Sequence, residues 1–142
     1  MKTIQLDIVS AEGSIFHGEV RFLSVTGASG ELGIYPNHSP LLTSLKPGQI
    51  HVILKDGGED VFYMSGGMLE IQPNTVSILA DTALRADDLD EAAVLAAKRQ
   101  AEKVIQQKIE GIEYSKAIIE LAESAAQLRA ISILRDKLKK IH

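Results

Sequence analysis

The 142-residue chain is 45% hydrophobic and 24% charged, with 15 Lys and Arg against 19 Asp and Glu, a size that suits one compact domain or a small domain with an appendage. Length excludes two large domains, the apolar fraction argues against disorder, and a net charge of -4 gives no general attraction to nucleic acid. Without cysteine there is no disulfide framework, thiolate metal site or cysteine nucleophile. No uncharged run approaches the ~18 residues of a spanning helix, so a soluble, non-secreted chain is expected.

The first half alternates with period two at Ile4-Gln5-Leu6-Asp7-Ile8, Ile50-His51-Val52-Ile53-Leu54, Val61-Phe62-Tyr63-Met64 and Val76-Ser77-Ile78, the pattern of half-buried strands. Lys55-Asp56-Gly57-Gly58-Glu59 supplies the positive-φ residues of a tight hairpin turn. Gly66-Gly67 and Gln72-Pro73-Asn74 punctuate further strands. All four prolines and every glycine except Gly111 precede residue 74. Many short strands between turns predict an antiparallel β-sandwich or barrel over residues 1–84.

Near residues 80–88 the composition turns alanine-rich. Charge shifts too: 4 basic and 9 acidic residues through Leu84, then 11 basic and 10 acidic. Asp88-Leu89-Asp90-Glu91 reads as a helix start, with Asp88 as cap and Glu91 three positions on. Leu89, Ala92, Ala93, Ala96, Ala97, Ala101, Val104 and Ile105 recur at helical spacing, which predicts a buried stripe with Lys98, Arg99, Glu102 and Lys103 in solvent. Gly111 breaks the run. A second helix from about Tyr114 carries two stripes, Ile118, Leu121, Ala125, Leu128 and Ser132, then Ile119, Ala122, Ala126 and Ile133. Residues 85–142 therefore read as an antiparallel two-helix hairpin. Alanine methyls contribute only about 0.8 kcal/mol each, and two apolar stripes exceed what one partner helix covers. That combination predicts a hairpin able to dock on its own domain or leave for another protein.

Chemical motifs are incomplete. Thr26-Gly27-Ala28-Ser29-Gly30-Glu31-Leu32-Gly33 lacks the Gly-Lys-Ser/Thr ending and following helix of a phosphate loop, and reads as a turn. His17, His38, His51 and His142 lack metal-site spacing, and Ser65 lacks the preceding glycine of a nucleophile elbow. Arg129, Arg135, Lys137, Lys139 and Lys140, against Asp136 alone, make the last helix basic at its end. Two readings stand there, compensation of the helix dipole and docking on an acidic protein patch.

Gly30-Glu31-Leu32-Gly33-Ile34-Tyr35-Pro36-Asn37-His38-Ser39-Pro40-Leu41-Leu42-Thr43, followed by Leu45-Lys46-Pro47-Gly48, resembles the epsilon subunit of the bacterial F-type ATP synthase. Ser65-Gly66-Gly67-Met68-Leu69-Glu70-Ile71-Gln72-Pro73, Val76-Ser77-Ile78-Leu79-Ala80-Asp81-Thr82-Ala83-Leu84-Arg85 and Asp88-Leu89-Asp90-Glu91-Ala92 extend the likeness along essentially the whole chain. The resemblance implies a ten-stranded β-sandwich with a two-helix hairpin, a non-catalytic central-stalk subunit beside gamma and against the ring of c subunits. It would help transmit proton-driven rotation to the catalytic alpha/beta hexamer, at the cytoplasmic face of the bacterial inner membrane, with no cofactor and no membrane contact except through the complex. By the same resemblance the hairpin lies compact or extends along gamma to restrain ATP hydrolysis, and the basic end meets an acidic loop of beta. Glu31 matches the position that touches the c ring, and His38 lies in the same rotor-facing loop. Some members bind ATP through a Leu/Ile-Asp-x-x-Arg-Ala pattern. Here Leu89 and Asp90 match, while Ala93 replaces the arginine and Val94 the alanine. Without the guanidinium, weak or absent ATP binding is expected.

A competing reading is a free-standing ligand-binding β domain with the hairpin as an oligomerisation arm. It predicts a closed pocket and self-association.

Overall fold

Strand β1 (Ile4–Ser10) sends Ile4, Leu6 and Ile8 inward and leaves Gln5, Asp7 and Val9 on the outer side, as strand alternation requires. In the computed structural model residues 2–107 and 111–136 are described in full, and residues 137–141 by their helical backbone. The remaining strands are β2 (Gly13–Gly27), β3 (Gly30–Ile34), β4 (Leu41–Leu54), β5 (Glu59–Met64), β6 (Gly67–Ile71), β7 (Thr75–Ala80) and β8 (Ala83–Arg85).

Two long strands build the sandwich. β2 pairs with β1 over Gly13–Val20 and with β4 over Val20–Gly27. β4 pairs with β6 over Leu41–Leu45 and with β5 over Gly48–Ile53. Each therefore belongs to both layers, so eight strands supply the ten strand segments that the resemblance implies. The first layer holds β1, β7, β6 and the opening halves of β2 and β4. The second holds β3, β5, β8 and the closing halves. β1 and β7 run parallel, which joins the chain's first strand to the middle of the first layer. Ile4, Leu6, Ile8, Val20, Leu23, Ile50, Phe62, Met64, Leu69 and Ile78 fill the space between the layers.

Turn chemistry follows the sequence. Gly57 adopts φ 94° in the β4–β5 turn, where Leu54 N–H donates to the Gly58 carbonyl at 2.7 Å. Gly67, at φ 152°, lies so near β7 that a Cβ there would sit 2.0 Å from the Leu79 carbonyl oxygen. No other residue type fits that approach.

After β8 a 3-10 turn (Ala86–Asp88) leads to α1 (Glu91–Gln106) and α2 (Ile112–Ile141). The cap of α1 is Asp90, not Asp88. Its carboxylate accepts the Ala92 and Ala93 N–H groups at 3.0 and 3.3 Å, because Asp88 is already used in the 3-10 turn. Gly111, at φ 85°, accepts the Ser115 N–H through its carbonyl and opens α2. α2 packs on β4 and β5, and α1 packs on α2.

The buried faces of both helices are rotated from the expected stripes. In α1 Val94 and Ala101 are buried, whereas Ala92, Ala93, Ala96 and Ala97 are exposed and Lys98 is half-buried. The larger Val94 and Ile105 share a face with Ala101, and burying them outweighs burying alanine methyls; the Lys98 stem lies along that face. In α2 Ala117 and Ser124 are buried and Leu121, Leu128 and Ile131 half-buried, while Ala126, Ala130, Ile133 and Leu134 meet the second layer. Ile118, Ile119, Ala122, Ala125 and Ser132 are exposed.

Candidate partner-binding surfaces

The outward faces of the two layers differ. On the first layer Leu42, Met68 and Leu79 are 66%, 40% and 58% exposed. Met68 stands directly opposite Leu79, and Leu42, opposite Glu70, is the diagonal neighbour of Met68. Half-buried Val9 is paired with Leu79 from the other side. Side chains in such register touch or nearly touch, so these four form one apolar patch on a face that none of the described helices covers.

On the second layer the outward face is taken by α2. Val61, Tyr63 and Ala86 pack against Ala126 and Ala130, with Leu89, Ile133 and Leu134 around them. Gln49, opposite Tyr63 in the sheet, is 5% exposed. Burial pushes the Tyr63 phenol up to about 12, and the nearby Glu123 charge pushes the same way, with Gln127 opposing.

Glu31 sits at the edge of this second face. Its carboxylate accepts hydrogen bonds from Ser24 Oγ at 3.0 Å, Thr26 Oγ1 at 2.7 Å and Gln49 Nε2 at 2.9 Å. The Gln49 backbone N–H donates to Thr26 Oγ1 at 3.2 Å. Gly48 allows that closeness, since a Cβ would lie 2.3 Å from the Thr26 Cβ. Charge-assisted bonds of this kind fix a side chain firmly, and here they tie the β2–β3 turn to β4. The turn also borders a cavity of about 230 Å³ shared with Leu41 and Thr43. His38 belongs to the β3–β4 loop, where its Nδ1 lies 2.7 Å from the Ser39 carbonyl and its N–H donates to the Tyr35 carbonyl. Asn37 beside it takes φ 68°. Glu31 and His38 are thus held by separate sets of bonds.

Of the basic residues, Arg129 lines a groove of about 250 Å³ between α2 and the sheet, with Glu31, Thr26, Pro47 and Gly48 on the opposite wall. Arg135 pairs with Glu91 at the start of α1. The side chains of Lys137, Lys139 and Lys140 lie outside the described residues. Gln49, Tyr63 and the Leu42, Met68, Leu79 patch are additional to the residues singled out from sequence. Residues 61–64, read from sequence as part of a half-buried strand, are all buried, because α2 covers the face that alternation would leave to solvent.

The family model for the ATP synthase delta/epsilon chain β-sandwich domain matches residues 3–86, and that for the delta/epsilon chain long α-helix domain matches residues 87–132. The chain belongs to the ATP synthase delta/epsilon chain family. Among solved structures it is similar to a chain of the Euglena gracilis mitochondrial ATP synthase (OSCP/F1/c-ring, rotational state 1), at 21% identity and TM-score 0.83, covering 91% of this chain and 81% of that one. It is also similar to a chain of the Tetrahymena thermophila mitochondrial ATP synthase central stalk and c-ring, at 18% identity and TM-score 0.60, covering 92% and 97%. At these identities the likeness establishes the shared fold, a delta/epsilon-type sandwich followed by helices. No described helix of this family member is long and apolar enough to cross a membrane.

Proposed function

We propose that the chain is a non-catalytic central-stalk subunit of a bacterial proton-driven ATP synthase, peripheral to the inner membrane, that helps pass c-ring rotation to the alpha/beta hexamer. The observation that carries this reading is the asymmetry of the sandwich. One outward face is covered by the chain's own α2, while the other presents the Leu42, Met68 and Leu79 patch. An apolar patch of this kind suits a permanent partner, and gamma is the partner the family offers.

The β2–β3 turn with Glu31 and the β3–β4 loop with His38 face the c ring. Glu31 acts there as a clamped carboxylate that stiffens the turn. The hairpin restrains ATP hydrolysis when it leaves the sandwich for the hexamer. Arg129 and Arg135, with Lys137, Lys139 and Lys140, then meet an acidic loop of beta, an attraction that salt screens. Arg135 is engaged with Glu91 of α1, so it becomes free for that contact only when α2 also parts from α1. ATP is bound weakly or not at all, because Asp90 caps α1, Ala93 brings no charge and Val94 is buried.

Size exclusion of the chain mixed with gamma tests the reading. The wild-type chain is expected to co-elute with gamma, and replacement of Leu42, Met68 and Leu79 by Ser to abolish co-elution without unfolding the sandwich. Failure of the wild type to bind, or full binding by the triple variant, would contradict it.

A further inference from the structure

Two buried polar atoms among the described residues lack a hydrogen-bond partner, Nε2 of His51 and the hydroxyl of Tyr63. His51 keeps the Glu59 carboxylate at 3.7 Å. Tyr63 has only the Gln127 side chain beside its hydroxyl, outside hydrogen-bond geometry.

Tyr63 is 1% exposed, yet its side chain is outside the main core. Its strand neighbours Phe62 and Met64 point between the layers, whereas Tyr63 groups with Val61, Ala86, Ala126 and Ala130 beneath α2. The face it shares with Val61 and Gln49 is dry because α2 lies on it, and it would be wet without α2. Docking therefore acts on this one side chain in two opposed ways. The ring is the largest apolar body in a seam otherwise built of alanines, a valine and partly buried aliphatics, so its burial favours docking. The hydroxyl gives up its water on docking and receives no well-formed bond in return, only the poorly aligned Gln127 side chain, which opposes docking. Glu123 adds a nearby negative charge, and the Gln127 amide approaches without reaching normal hydrogen-bond geometry.

We propose that Tyr63 sets the strength of the hairpin latch: its ring holds α2 on the sandwich, and its unpaired hydroxyl keeps that hold weak enough for α2 to leave. This rests on the reading that the hairpin is separable. The hydroxyl is the release element within it, and Gln127 is the group that would have to move to satisfy it.

Amide hydrogen exchange on the full-length chain and on the variants Tyr63→Phe and Tyr63→Ala tests the proposal, since exchange reports local opening separately from global unfolding. In the wild type α2 amides are expected to exchange faster than those of β4, β6 and β7. Tyr63→Phe keeps the ring and removes the hydroxyl, so α2 should slow about tenfold while the strands are unchanged. Tyr63→Ala removes the ring, so α2 should exchange faster. If Tyr63→Phe leaves α2 unchanged or faster, or slows strands and helix alike, the hydroxyl is not the release element, although a separable hairpin survives. If α2 and the strands are equally protected in the wild type, the separable hairpin and this proposal fall together.

Discussion

The space between the two β layers and the seam between the sandwich and α2 are both apolar, but they are made of different residues. Between the layers lie Leu6, Ile8, Leu23, Ile50, Phe62 and Ile78, all with no solvent exposure. The seam joins Val61, Tyr63 and Ala86 to Ala126 and Ala130, with partly buried Leu89, Ile133 and Leu134 around them, and the buried Gln49 lies opposite Tyr63. Branched aliphatic and aromatic side chains bury far more surface per residue than alanines do, and polar groups in a seam lose less when it opens to water. The contrast is what the proposed function requires, a body that holds its shape and an arm that it can release.

The largest effect should come from the body. Phe62→Ala removes a side chain that meets Phe16 edge to face at 5.9 Å, and a loss of about 3–5 kcal/mol is expected in denaturant unfolding, with strands and helices lost together. Gly67→Ala should follow at about 2–3 kcal/mol, because β6 must move away from the Leu79 carbonyl. If either variant loosened α2 alone, the division between body and arm would be wrong.

Effects on the arm should be smaller and local. The folded-state Tyr63 phenol ionises at about 12 against an ordinary 10.0. A raised pKa contributes stability that is complete below the unfolded value and lost as pH rises through the folded one. Helix docking should therefore weaken between pH 10 and 12, followed by exchange or by fluorescence of a label on α2, and Tyr63→Phe should remove that dependence. Asp90→Ala takes away the cap of α1 and should cost about 1 kcal/mol, visible as fraying of α1 in exchange with strand protection intact. The smallest effect concerns exposed Glu19, whose carboxyl is held below its usual value by a hydrogen bond and the charge of Lys55, with help from Thr3. Lys55→Met should raise that carboxyl in an NMR titration and leave the unfolding midpoint unchanged, as expected of a surface pair.

Much of this was readable from the chain. Alternation fixed the inward set of β1 and β7, and Gly57 marked its turn, because these depend on neighbours two or three residues away. The crossing of β2 and β4 between layers was not readable, since it depends on pairings with distant strands. The faces of the hairpin were misplaced for a related reason. Alanine is nearly indifferent to burial, so Ala92, Ala93, Ala96 and Ala97 suggested a stripe whose face was instead set by Val94, which lay outside it, together with Ala101 and Ile105. At the candidate surfaces, Glu31 and His38 stood out through resemblance alone. The bonds from Ser24, Thr26 and Gln49 that hold Glu31 come together only when β2, β3 and β4 pair. The Leu42, Met68 and Leu79 patch likewise exists only once three strands align.

The most direct test of the central claim is the rate of ATP hydrolysis by the reconstituted synthase carrying this chain ended after residue 87. A releasable arm that restrains the hexamer predicts faster hydrolysis than with the full chain, while gamma and the c ring stay bound. An unchanged rate with an intact complex would contradict it and leave the hairpin a fixed part of the stalk.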